Sequence, residues 1–89
     1  MVDRELLIVN EKGLHARASA KFVEVVEAHE ARATVSKDGI DVSGDSIMGL
    51  LMLGASRGTS IRVTTTGAEA QALADALQRL VENRFGEDM

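Results

Sequence analysis

The chain has 89 residues, 45% of them hydrophobic and 27% charged, enough for one small core and no second domain. It contains no cysteine, which excludes a disulfide framework, thiolate chemistry and a cysteine-rich zinc site. A net charge of −4, with 10 basic residues scattered among 14 acidic ones, argues against a nucleic-acid partner, because phosphate contacts need clustered Lys and Arg.

In chain order, residues 5–9 read as a short buried strand through Leu6, Leu7 and Ile8, closed by Asn10-Glu11-Lys12-Gly13. Residues 16 to about 30 turn helical. Ala18, Phe22, Val25 and Val26 recur at steps of three and four, while Arg17, Lys21 and Glu24 take another face. Residues 33–37 and 40–42 flank Asp38-Gly39, a pair suited to the two-residue type I′ turn of a β-hairpin. Ser46 then caps a short apolar segment over residues 47–53, closed by Gly54. Residues 60–66 alternate, with Ile61, Val63 and Thr65 on one side, as on a half-buried strand. Thr66-Gly67-Ala68-Glu69 has the spacing of a capping box. After it Ala70, Leu73, Ala74, Leu77, Leu80 and Val81 draw a helical stripe to about residue 84, and the tail from Gly86 to Met89 is expected to fray. The predicted order is β-α-β-β-α-β-α. One apolar side per strand implies an α+β fold, a four-stranded antiparallel sheet with three helices on one face.

Two histidines limit the chemistry. His15 and His29 lie 14 residues apart, about 21 Å along one helix, so they do not share a metal ion, and no metal or other cofactor is expected. His29 reads as a solvated residue near a helix C-terminus. His15 falls at the loop-to-helix junction Gly13-Leu14-His15-Ala16-Arg17, where unpaired backbone N–H groups and the helix dipole favour an anion. An imidazole attacking a phosphoryl group there leaves its product facing N–H donors and the Arg17 guanidinium. Phosphoryl transfer is mostly positioning and charge stabilisation, so these parts suffice. A surface imidazole beside a helix start is the alternative reading of the same residues. Ser46 reads either as a plain cap or as a phosphorylation site, since phosphate is welcome at a helix N-terminus. The segment 47–53 carries more apolar residues than one buried face can hold, which marks a partner surface at which Met48 and Met52 adapt to several partners.

Gly13-Leu14-His15-Ala16-Arg17, followed by Asp45-Ser46-Ile47-Met48-Gly49-Leu50-Leu51-Met52-Leu53-Gly54, resembles HPr, the histidine phosphocarrier of bacterial phosphotransferase systems. The resemblance spans the whole chain, residues 1–89, as a single domain. It implies an open-faced β-sandwich and a carrier, not a turnover enzyme. His15 takes phosphate from phosphorylated enzyme I and passes it to IIA-type acceptors, and Arg17 assists. Ser46 is implied as the regulatory serine of HPr kinase/phosphorylase, and Leu14, Ala20, Ile47, Met48 and Leu51 as the docking surface. Ala18 stands where many members have proline, a change the third position of a helix tolerates. Glu24 and Glu27, where sugar-branch members often carry Lys, are similar to the nitrogen-related branch, as are the Leu-Leu-Met-Leu run and the acidic tail. A non-catalytic regulatory module of the same fold is the alternative; such relatives have replaced the histidine that this chain keeps. A monomer in the cytoplasm is expected, because the chain lacks cysteine, a secretion signal and any apolar run near the roughly 20 residues of a membrane span.

Overall fold

The computed structural model describes residues 1–88. The elements are β1 (Val2–Leu7), α1 (Ala16–Glu27), β2 (Arg32–Lys37), β3 (Ile40–Ser43), α2 (Ile47–Met52), β4 (Ser60–Thr66) and α3 (Ala70–Glu82), followed by a 3-10 turn at Arg84–Gly86. All strand pairs are antiparallel in the order β1-β4-β2-β3. The predicted β-α-β-β-α-β-α fold is the one observed, with the helices packed on one face and the other face open.

Period-two alternation assigns the two faces. Leu6, Ala33, Val35, Ile61, Val63 and Thr65 point under the helices and are buried, while Asp3, Glu5, Thr34, Arg62 and Thr66 stay exposed. The same alternation corrects the reading of the first strand. Strand β1 begins at Val2 and ends at Leu7, and it is not buried throughout: Leu7 is 52% exposed on the open face. Arg4 shares the helix-facing side with Leu6 and reaches α3, donating to Gln78 at 2.6 Å and to Asp75 at 2.8 Å. That bond, with the arginine's charge against partial desolvation, holds the Asp75 carboxyl below its ordinary value.

The hairpin between β2 and β3 forms at Asp38-Gly39, whose φ angles of 51° and 82° are both positive, as a type I′ turn requires. Helix α1 buries Ala18, Ser19, Phe22, Val23 and Val26, with Val25 at the margin, and ends at Glu27, three residues before the predicted end. The ring Nδ1 of His29 donates to the Val25 carbonyl at 2.7 Å, so this histidine closes the end of α1. The predicted capping box at Thr66 does not form. Glu69 is itself the N-cap residue of α3, and its carboxylate accepts from the Glu30 amide at 2.6 Å. Ser46 does cap α2, its Oγ accepting from the Gly49 amide at 3.0 Å.

The largest departure is at the C-terminus. Arg84 and Phe85 adopt φ of 56° and 55°, a left-handed conformation that costs most non-glycine residues energy. The cost is offset because the turn drives the Phe85 ring, wholly buried, into the core. Phe85→Ala is therefore expected to destabilise the protein by about 3–5 kcal/mol, the range for emptying a buried aromatic site. Urea unfolding measures it, and a loss under about 1 kcal/mol would show that the ring does not anchor the turn.

Candidate functional site

The segment from Ile8 to His15 is held on two sides. Ile8 exchanges backbone bonds with Thr59 and Gly58, and the Leu14 amide donates to the Ala55 carbonyl at 2.9 Å. Gly13 has φ +66°, and a Cβ there would lie 2.5 Å from the Ala55 oxygen, so only glycine lets the two loops touch. Inside this loop Asn10 is completely buried. Its Nδ2 donates to the Gly13 carbonyl at 2.8 Å and to Glu87 Oε1 at 2.9 Å, while its Oδ1 is buried without a partner.

His15 is the N-cap residue of α1, as expected, with extended backbone and no side-chain capping bond. The helix begins with no acidic residue in its first turn. The N–H groups of that turn are thus covered neither by a capping oxygen from His15 nor by a carboxylate of the turn itself, and they suit an incoming anion. The imidazole is 27% exposed. Its Nε2 hydrogen-bonds Glu87 Oε2. Arg17, two residues on, is exposed and lines an open cleft of about 300 Å³ together with Lys12, Lys21 and the carboxylates Glu11, Glu87 and Asp88. The rim therefore carries both signs of charge; Lys21 is bonded to the Phe85 carbonyl, and the planar fork of the exposed Arg17 suits the oxygens of a phosphoryl group.

The tail reaches the cleft because of the turn after α3. With Phe85 fixed, its carbonyl accepts from Lys21 Nζ at 2.6 Å, and Glu87 swings onto His15 and Asn10. The expected fraying is thus overturned at Gly86 and Glu87; Met89 lies outside the described residues. Burial opposes ionisation of Glu87, but the bonds from Asn10 and His15, with the nearby charge of Lys12, outweigh it and hold its carboxyl below the ordinary value.

Ser46 and α2 present the second predicted region, packed beside α1. Ile47, Met48, Leu51 and Met52 are exposed, Met48 and Met52 at 71% and 70%, so a four-residue apolar patch faces solvent. Ala20 is half-buried. Leu14 departs from its predicted place on the docking surface: it is 4% exposed and belongs to the core, packed inward by the bond that ties its amide to Ala55. Sequence reasoning missed Asn10 and Glu87. A signal for Glu87 existed in an isolated Phe85 between Asn83 and Gly86 just past a helix, the pattern of a chain reversal with an apolar anchor.

A protein-family model described as the PTS HPr component phosphorylation site matches residues 2–83. The phosphocarrier protein HPr of Xylella fastidiosa (strain 9a5c) is 44% identical over 88 residues, 99% of each chain. That of Cupriavidus necator is 41% identical over 87 residues, 98% of each. Among solved structures, HPr-C-His from Thermoanaerobacter tengcongensis superposes with a TM-score of 0.95 at 35% identity, covering 100% of both chains. HPr from Bacillus anthracis gives 0.86 at 34% identity, over 90% of this chain and 95% of that one.

Proposed function

The chain belongs to the HPr family, the phosphocarriers of phosphotransferase systems, and on that footing we propose that His15 accepts a phosphoryl group from phosphorylated enzyme I and hands it to IIA-type proteins. One observation carries the assignment. His15 is the N-cap residue of α1 and leaves the N–H groups of the first turn uncapped, with the exposed guanidinium of Arg17 two residues on. As the ring nitrogen approaches phosphorus, the equatorial oxygens gather charge, and donors already in place stabilise it without reorganising. The test is incubation with phosphoenolpyruvate and enzyme I, followed by an IIA-type acceptor. The expected result is one acid-labile phosphate per chain that leaves on adding the acceptor. No labelling by any enzyme I paralogue would overturn the reading.

The donor in this reading is the nitrogen-related enzyme I. Glu24 and Glu27 are both exposed on α1, and a carboxylate pair there repels the acidic surface that the sugar-branch lysines meet. Phosphorylation rates with the two enzyme I paralogues decide it. A solved relative is described as an HPr dimer from Thermoanaerobacter tengcongensis; here we take one cytoplasmic copy as the working unit, since His15, Arg17, Asn10 and Glu87 all come from a single chain. Among the described residues no helix is long and apolar enough to cross a membrane.

Ser46 is assigned as the regulatory serine, the target of HPr kinase/phosphorylase. Its Oγ caps α2, the helix that carries the exposed Ile47, Met48 and Leu51, through which, with Ala20, partners dock in this reading. Phosphate adds about −1.5 to −2 charges at the positive end of a helix dipole, which the isolated protein tolerates. A partner closing over the patch must desolvate that charge without pairing it, at a cost of several kcal/mol. Ser46→Asp is expected to leave the melting temperature unchanged or slightly raised and to slow phosphorylation by enzyme I through weaker docking. Equal kinetics, or a loss explained by unfolding, would return Ser46 to a plain cap.

A further inference from the structure

We propose that Glu87, oriented by Asn10, is a positioning residue for phosphoryl transfer: it keeps the proton of neutral His15 on Nε2 and so leaves the Nδ1 lone pair as the nucleophile. The inference rests on the phosphocarrier reading above and adds to it the residue that sets the tautomer of His15.

The argument is one of donors and acceptors. Glu87 Oε2 is hydrogen-bonded to His15 Nε2. A carboxylate only accepts, so the nitrogen facing it must carry the hydrogen, and in a neutral imidazole the other nitrogen is then bare. The N–H groups of Asn10 and His15 both point at the Glu87 carboxyl and favour its charged form. Its orientation is set in turn by Asn10. The Asn10 amide faces two acceptors, the Gly13 carbonyl at 2.8 Å and Glu87 Oε1 at 2.9 Å. Turning the amide over would aim its oxygen at both, so the NH₂ end must point to them. The buried Oδ1 without a partner is the cost of holding that orientation. A carboxylate held by one group and aimed at an imidazole N–H is the arrangement that selects a tautomer in hydrolytic triads.

The transfer then balances. The Nδ1 lone pair forms the N–P bond as the bond from phosphorus to the donor's leaving atom breaks, and that electron pair departs with the donor. Nε2 keeps its proton throughout. The ring becomes positively charged, and the charge faces the Glu87 carboxylate. Transfer to an acceptor runs the same steps backwards, with the electron pair of the N–P bond returning to Nδ1.

The test uses the full chain with 15N-labelled histidine at alkaline pH, where the imidazole is neutral and its nitrogen shifts separate protonated from bare atoms. Wild type should show His15 protonated on Nε2. In Glu87→Gln the Asn10 NH₂ claims the new amide oxygen, so the glutamine NH₂ turns to His15, donates to Nε2 and moves the ring proton to Nδ1. The phosphorylation rate should fall at least tenfold, and further than in Glu87→Ala, which removes the carboxylate without imposing the wrong tautomer. A residue that only held the tail would give the opposite order, because glutamine fills the same space and alanine does not. A wild-type proton on Nδ1, an unchanged tautomer in Glu87→Gln, or equal rates for Glu87→Gln and wild type would overturn the proposal. Failure of wild type to be phosphorylated at all would instead overturn the phosphocarrier reading and leave the tautomer result standing.

Discussion

His15→Ala is expected to abolish phosphorylation by enzyme I and phosphoenolpyruvate and to leave the fold intact. The loss is complete because no second imidazole shares the environment. His29 sits past the C-terminal end of α1, its Nδ1 committed to the Val25 carbonyl and with Glu27 and Glu30 close by in the chain. A phosphoryl group there meets carbonyl dipoles and carboxylates in place of N–H donors. The fold survives for local reasons. The His15 backbone is extended, at φ −80° and ψ −176°, which alanine adopts freely, and its carbonyl still accepts from the Ser19 amide. Only the bond to Glu87 is lost from a partly exposed side chain. Mass spectrometry of the labelled chain beside a thermal melt checks both halves. Acid-labile phosphate on the alanine variant, or wild-type phosphate mapped to His29, would remove His15 from its role.

Arg17→Ala should slow phosphoryl transfer by roughly 10²-fold, the scale of losing one positioned donor, with little change in melting temperature. Arg17 is exposed and lies on the cleft wall with Lys12 and Lys21, so its removal opens no cavity in the core. Its planar fork offers two parallel N–H groups to phosphoryl oxygens, which a lysine ammonium does not. Arg17→Lys is accordingly expected to recover only part of the rate. Initial rates at saturating enzyme I separate this from a docking effect. An unaltered rate, or a loss that follows unfolding, would show that Arg17 does something else.

Much of this was legible from local pattern. The two helical stripes, the Asp38-Gly39 turn, the alternation of β4 and the Ser46 cap each depend on residues within a few positions of one another, where periodicity and turn chemistry operate. His15 at a helix start beside Arg17 was legible for the same reason. Local pattern failed where a distant partner decided the outcome. Thr66 to Glu69 has capping-box spacing, yet Glu69 is drawn to the Glu30 amide, 39 residues away. Leu6, Leu7 and Ile8 look alike in a row, and only the register with β4 puts Leu7 on the open face.

By itself, then, the sequence determined the element order, the core faces of α1, β4 and α3 and the residue at the head of α1, because each follows from spacing along one segment. The tertiary structure alone decided what surrounds that residue. Leu14 was turned inward by a backbone bond to Ala55 across the loops. Glu87 met His15 across 72 residues and Asn10 across 77, because Phe85 fills a site in the core that no neighbouring residue in the chain reveals. An anchor of that kind takes its direction from the shape of the space it enters, and that space exists only once the sheet and helices have packed around it.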